Sequence, residues 1–154
     1  MGEDVRLSRW LGIDHGTKRI GVAVGDTEEG IASPVETVPA EPFAGALRRI
    51  REIAAEYLAD GIVVGWALNM DDSEGPQAKI TRHAAEQLAR ATGLDVRLWD
   101  ERLSSFAADD ALAGSFTRKQ KRRRQDAVAA AEVLRDFLSA GGPETAPRPA
   151  DLGD

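Results

Sequence analysis

The stretch RWLGIDHGTKRIGVAVGDTEEGIASPVETV, residues 9–38, decides the fold because it contains three short apolar segments separated by tight polar connections. RWLGID (9–14) runs into a glycine-containing turn, IGVAVG (20–25) alternates small and β-branched residues, and IASPVETV (31–38) follows the polar DTEEG. Connections this short predict an antiparallel meander of three strands. Pro34 marks an edge position or an irregularity in the third strand.

Beyond the meander, the chain alternates between helix and strand patterns. FAGALRRIREIAAEYLAD (43–60) has apolar residues at three- and four-residue spacing, which predicts a helix, and GIVVGW (61–66) is typical of a strand buried on both faces. A second helix is predicted near 76–92, a strand over 94–100, a short helix over 104–114 and a final helix over 118–139. This order predicts an α/β fold: a mixed sheet of five strands, the meander plus two parallel strands, flanked by helices.

Length and composition indicate one domain. The chain has 154 residues, 42% of them hydrophobic, which is enough to form a core. We expect this domain to span 1–140. The Pro- and Gly-rich segment 141–154 predicts a disordered tail. MGEDVRLSRW has no signal-peptide core, and no apolar run approaches the roughly 20 residues that cross a bilayer. We therefore expect no membrane partner and a cytoplasmic location.

The residue types exclude some kinds of site. Without cysteine the chain has neither disulfides nor a thiolate zinc site, and two histidines are too few for a histidine-rich metal centre. Oxygen ligands would then bind any metal, and these favour magnesium, manganese or calcium.

Four acidic residues lie at the ends of predicted strands or on the final helix. Asp14 closes the first strand, Asp100 and Glu101 close the last, and Asp126 lies on the final helix. Ligands gather at strand ends in α/β sheets, and neighbouring carboxylates repel unless a cation lies between them. Two magnesium ions roughly 4 Å apart can activate a water and stabilise the leaving oxygen of a phosphodiester. The alternative is that these acids are turn or solvent-facing residues.

The segment RKQKRRRQD (118–126) places a concentrated positive charge in a chain of formal net charge −6. Such a run forms a solvated helix face or a grip for phosphates. Lys18 and Arg19 could extend a phosphate track or form a solvated turn, and Arg102 could extend it or form a salt bridge. The candidate nucleic-acid-binding residues are Lys18, Arg19, Arg102, Arg118, Lys119, Lys121, Arg122, Arg123 and Arg124.

Five segments carry a resemblance to a known family: LGIDHGTKRIGVAVGD, IASPVETV, GIVVGWALNMDDSEGPQA, WDERLSS and QDAVAAAEVL. Their order and spacing over 10–139 resemble the YqgF family of RuvX-type, Holliday-junction-resolvase-like proteins, also described as nucleases for pre-16S ribosomal RNA. The resemblance implies a ribonuclease-H-like fold, with a single nuclease domain over 1–140, and metal-dependent hydrolysis of structured nucleic acid. It also implies that Asp14, Glu101 and Asp126 are the catalytic acids, which would hold Mg²⁺ or Mn²⁺, with two ions expected.

The family pattern leaves several questions open. Its loop after the fourth strand usually begins Gly-Leu-Pro and contains Met-Asp-Gly, where this chain has GWA (65–67) and MDD (70–72), a change in backbone restraint. The expected function is 5′ processing of pre-16S rRNA in ribosome biogenesis. Alternatives are a Holliday-junction DNA resolvase, a non-catalytic nucleic-acid-binding module, and an actin- or Hsp70-like nucleotide-binding protein suggested by GIDHGT, for which one lobe is too short. A symmetric junction substrate would suggest a homodimer.

Overall fold

The computed structural model describes residues 8–103 and 118–152, with the backbone alone described for residues 103 and 118–125. The strands are β1 Arg9–His15, β2 Arg19–Asp26, β3 Ala32–Pro39, β4 Gly61–Trp66 and β5 Asp95–Asp100. The α-helices are α1 Phe43–Glu56, α2 Pro76–Thr92 and α3 Arg118–Ser139, and short 3₁₀ helices occupy Glu101–Leu103, Gly142–Thr145 and Pro149–Leu152. The short helix predicted over 104–114 lies outside the described residues. None of the described helices has the length and apolarity to cross a membrane.

The five strands form one mixed sheet in the order β3-β2-β1-β4-β5. β1 pairs antiparallel with β2, β2 pairs antiparallel with β3, and β1, β4 and β5 are parallel neighbours. The predicted meander and the two parallel strands are therefore confirmed. The parallel arrangement brings the carboxyl ends of β1, β4 and β5 to one edge of the sheet, where ligands bind in such folds.

Helices cover both faces of the sheet. One core joins α1 and α2 to one face through side chains such as Ile50 and Leu88, and a second core joins α3 to the other through Leu134 and Phe137. All six residues of β4 are buried, as the uninterrupted apolar run GIVVGW predicts for a strand covered on both faces.

Glycines on the sheet allow α3 to pack unusually close. A Cβ atom on Gly21 would lie 1.7 Å from the carbonyl oxygen of Asp126, and one on Gly12 would lie 2.6 Å from the carbonyl oxygen of Ala130. Asp14 pairs with Gly21 across β1 and β2, and residues paired in this way point to the same face. The close packing therefore brings Asp126 over the strand position beside Asp14.

Replacing Gly21 by alanine should destabilise the protein by about 2 kcal/mol or more, since an added methyl must displace helix backbone rather than a flexible side chain. Urea denaturation would measure this loss. Gly45→Ala is the matched control, because a Cβ there meets only an ordinary contact at 3.8 Å within α1 and alanine favours helix. Equal unfolding midpoints for Gly21→Ala and the wild type would contradict the close packing.

The segment after Gly141 contains two 3₁₀ helices and contacts β5; the disordered tail expected over 141–154 stays a prediction. Arg97 donates hydrogen bonds to the carbonyl oxygens of Pro143 and Ala146 at 2.6 and 2.8 Å, and the Leu98 N–H donates to Pro147 O at 2.9 Å. Composition alone cannot show these partners, because they belong to the open edge of β5, whose free backbone groups require pairing. The single-domain boundary at 140 stays a prediction.

Candidate active site

Asp14 and Glu101 meet at the carboxyl edge of the sheet. Asp14 lies near the end of β1, one residue after the Ile13–Val64 pair, and Glu101 immediately follows β5. Gly65 of β4 lies between them: a Cβ atom on it would come within 2.6 Å of the Glu101 Oε1 atom. The missing side chain at Gly65 therefore leaves room for the Glu101 carboxyl group beside Asp14.

Burial and the proximity of Glu101 together disfavour the charged form of Asp14. Burial, the charge of Glu101, a hydrogen bond with Glu101 and the charge of Asp126 together raise the pKa of Asp14 to about 8. Carboxyl groups in such proximity cannot both ionise at low cost, so one keeps its proton near neutral pH.

Asp126 lies close enough to contribute to this repulsion, but its carboxylate is bonded elsewhere. The Arg19 Nε–H donates a hydrogen bond to Asp126 Oδ2 at 2.5 Å, and the two side chains are 32% and 19% exposed. Arg19 and Gly21 are two residues apart on β2 and so point to the same face. Arg19 is therefore held at the acidic centre in this structure.

The donor set fits a hard divalent cation in part. Carboxylate oxygens are the ligands that Mg²⁺ and Mn²⁺ prefer, and a bound cation would offset the burial and the repulsion that raise the pKa of Asp14. Within residues 8–103 and 118–152, no three acidic or histidine side chains are arranged to hold one ion together. The hydrogen bond from Arg19 engages Asp126 Oδ2 and holds this side chain outside an arrangement with Asp14 and Glu101 that could bind one ion. Metal binding by all three acids stays a prediction.

Asp100 belongs to a separate cluster. Its carboxylate accepts hydrogen bonds from Arg102, which hold the pKa of Asp100 below its usual value. Arg102 also bonds Asp72 at 2.7 Å and the carbonyl oxygen of Asn69 at 2.8 Å. The salt-bridge alternative for Arg102 is thus what the structure shows, and this network fixes the loop after β4. Asp72 adopts φ 70°, a left-handed conformation that Asp tolerates better than most residues, at the position where the family pattern has Gly.

The remaining predicted cationic residues are Lys18 and those of the run 118–124. Lys18 is exposed in the turn between β1 and β2. The run 118–124 forms the first turns of α3, as predicted, immediately before Asp126. Only its backbone is described, so nucleic-acid binding by Arg118, Lys119, Lys121, Arg122, Arg123 and Arg124 stays a prediction.

Sequence reasoning missed the residues that shape the site. Gly21 and Gly65 create the space for Asp126 and Glu101, and Arg19 pairs with an acid rather than with solvent. A glycine inside a strand pattern is a signal of close backbone approach, so both glycines could have been flagged. The partner of Arg19 could not, since Asp126 is 107 residues away along the chain.

The strand order and the helices on both faces of the sheet give the chain a ribonuclease-H-like α/β fold, the fold of its structural neighbour RuvC. The Thermus thermophilus RuvC structure in complex with a Holliday junction substrate superposes with a TM-score of 0.55 at 16% identity, covering 87% of this chain and 96% of that one. The match shows the shared fold.

The chain belongs to the RuvX family, whose model, described as "Holliday junction resolvase", matches residues 8–140. A relative from Rhodobacter capsulatus named "Putative pre-16S rRNA nuclease" is 43% identical over 134 residues, covering 86% of this chain and 84% of the relative. A relative of the same name from Geobacillus kaustophilus is 42% identical over 135 residues, covering 86% and 98%.

Proposed function

We propose that this protein is a metal-dependent endonuclease that hydrolyses phosphodiester bonds in structured nucleic acid, with the 5′ end of pre-16S rRNA as its substrate. The observation that carries the proposal is the meeting of Asp14 and Glu101, beside Asp126, at the carboxyl edge of the sheet. Burial and the neighbouring acids raise the pKa of Asp14, which costs stability, and perturbed groups of this kind cluster at functional sites.

Each residue has a distinct task in this proposal. Asp14, Glu101 and Asp126 would hold Mg²⁺ or Mn²⁺, with two ions expected. Such ions, when bound, lower the pKa of an attacking water and stabilise the leaving oxygen. Asp14 must release its proton to serve as a ligand. The cations of 118–124, at the start of the helix that carries Asp126, would bind backbone phosphates, for which the arginine fork is well suited.

The choice of pre-16S rRNA follows the names of the relatives at 42–43% identity. A Holliday-junction DNA resolvase is the second candidate, favoured by the description of the family. A homodimer would match the two-fold symmetry of such a junction, and a cytoplasmic location belongs to the same proposal. An actin-like nucleotide-binding protein would need a second lobe, whereas the described residues form one five-stranded sheet.

A paired cleavage assay tests the proposal and its runner-up. The wild type is incubated with a pre-16S leader RNA and with a four-way DNA junction, in Mg²⁺, in Mn²⁺ and in excess chelator. We expect metal-dependent cuts in the RNA leader. Cleavage of the junction alone would favour the resolvase, and binding of either substrate without cleavage under any metal would favour a non-catalytic module.

Binding should weaken steeply with salt, because cations that neutralise phosphates release counterions. We expect at least about a tenfold loss in affinity between roughly 50 and 200 mM salt, and a shallower slope, by about one to two units, for the double variant Arg122→Gln/Arg123→Gln. Fluorescence anisotropy with a labelled leader RNA in chelator would measure both. Arg48→Gln, which removes an exposed charge from α1, should leave the slope unchanged. A flat salt response of the wild type would argue against the phosphate grip.

A further inference from the structure

Arg19 is hydrogen-bonded to Asp126, the carboxylate that would complete a three-ligand site with Asp14 and Glu101. Its guanidinium bonds Asp126 at 2.5 Å, while Asp14 and Glu101 share a hydrogen bond. The structure therefore has two acids that meet at the carboxyl edge of the sheet and a third that is paired with an internal cation. The third carboxylate is thus committed to an internal cation, and among the described residues the three acids are not arranged to hold one ion.

The side chains of Arg19 and Asp126, and not the backbone of α3, can change this arrangement. The backbone carbonyl of Asp126 lies directly over Gly21, where a Cβ atom would come within 1.7 Å, so the helix is seated as closely as it can be. The Asp126 side chain is 19% exposed and that of Arg19 is 32% exposed. Both side chains can therefore exchange partners by rotating, without moving α3 from the sheet.

We propose that Arg19 is a positioning residue that holds Asp126 away from the metal site until a substrate phosphate takes its guanidinium. The inference rests on the proposed function. Arginine binds phosphate bidentately as readily as it binds carboxylate, and a partly exposed ion pair is weak enough to exchange. Release of Asp126 then completes the ligand set, so nucleic acid and divalent cation bind cooperatively.

This coupling must be reciprocal, because each ligand changes the affinity of the other by the same factor. It also has a consequence for selectivity. Free cations meet an incomplete site, and the complete site forms only beneath a bound nucleic-acid backbone. Arg19 therefore controls the stage at which the metal binds, although it does not contact the metal.

Calorimetric titration of Mn²⁺ tests the proposal without relying on cleavage. The wild type is titrated alone and in the presence of a phosphorothioate RNA hairpin, which resists hydrolysis. We expect the hairpin to raise the Mn²⁺ affinity of the wild type by about 5- to 10-fold, within the usual range of coupling. Arg19→Gln should bind Mn²⁺ about as tightly without RNA as the wild type does with it, and Arg19→Lys should keep part of the coupling because it retains the charge.

Two controls separate ligand release from the mere loss of a positive charge. Arg48→Gln on α1 removes an exposed charge far from the centre and should leave Mn²⁺ affinity unchanged. In an Asp126→Asn background, Arg19→Gln should no longer raise the affinity, since the released ligand is absent; a purely electrostatic effect would persist there. If Arg19→Gln fails to fold by circular dichroism, the Arg19→Lys arm and the same double-mutant cycle with lysine carry the test.

The possible failures are distinguishable. The proposed function itself is overturned if the wild type binds no Mn²⁺, or if Asp14→Asn binds Mn²⁺ as tightly as the wild type does. If the wild type binds Mn²⁺ but neither Arg19 variant changes the affinity or its dependence on RNA, the role of Arg19 alone is overturned.

Discussion

Replacing Asp14 by asparagine should reduce phosphodiester cleavage by at least about 1000-fold, because a lost ligand removes several kcal/mol of transition-state stabilisation at about 1.4 kcal/mol per tenfold. Asparagine keeps the size and the neutral form that Asp14 has beside Glu101, so the fold should be undisturbed. Initial rates on the preferred substrate in saturating Mg²⁺, measured with equal concentrations of folded protein, would give the effect. Glu101→Gln should cause a loss of the same order.

Asp100→Asn is the matched control for this experiment. It makes the same chemical change one residue from Glu101, at a carboxylate that bonds Arg102 and lies outside the acidic centre. We expect its cleavage rate to stay within about fivefold of the wild type, since it contacts no reacting group. Comparable losses from Asp14→Asn and Asp100→Asn would contradict the assignment of the centre.

The second large effect concerns stability in the absence of metal. The pKa of Asp14 is raised from 3.8 to about 8 by burial and by the neighbouring acids, so the folded state keeps a proton that the unfolded chain releases. Its contribution to stability is fully present below about pH 3.8 and is lost as the pH rises toward 8. Asp14→Asn has no proton to lose, so in excess chelator its Tm should exceed that of the wild type by about 3 °C or more at pH 8.

The pH dependence and its controls make this prediction specific. The gap in Tm between Asp14→Asn and the wild type should widen from about pH 5 to pH 8. Asp100 has a lowered pKa, so Asp100→Asn should instead lower the Tm throughout that range by a constant amount. Saturating Mg²⁺ should raise the Tm of the wild type and leave Asp14→Asn unchanged, because a ligand stabilises only the state that binds it. A gap that narrows toward pH 8 in chelator would show that Asp14 is ionised there without cost.

The fold could be predicted because its signals are local. Short connections between IGVAVG and its neighbours dictate the meander, and the uninterrupted apolar run of β4 indicates a strand covered on both faces. The convergence of Asp14 and Glu101 followed from the rule that parallel strands end at one edge, given the expectation that their strands lie close. β4 lies between these two acids, and at Gly65 it has no side chain that would separate them.

What could not be predicted depends on contacts between distant parts of the chain. The Arg19–Asp126 pair forms only once α3 is seated on the sheet, and spacing along the sequence contains no sign of it. The segment after Gly141 makes hydrogen bonds with Arg97 and the backbone of β5. Local composition, rich in Pro and Gly, favours disorder and contains no sign of these tertiary hydrogen bonds.

Residues 143–147 pair with the edge of β5, and this limits how two copies of the chain can associate. The Leu98 N–H already donates to the carbonyl oxygen of Pro147. A second molecule could therefore add a strand to β5 only by displacing the C-terminal segment of the first. The opposite margin, β3, carries Pro34 and a register shift against Val22 and Ala23, both of which discourage strand addition. A dimer built to straddle a two-fold junction should therefore associate through helices or loops and not by extending the sheet across the symmetry axis.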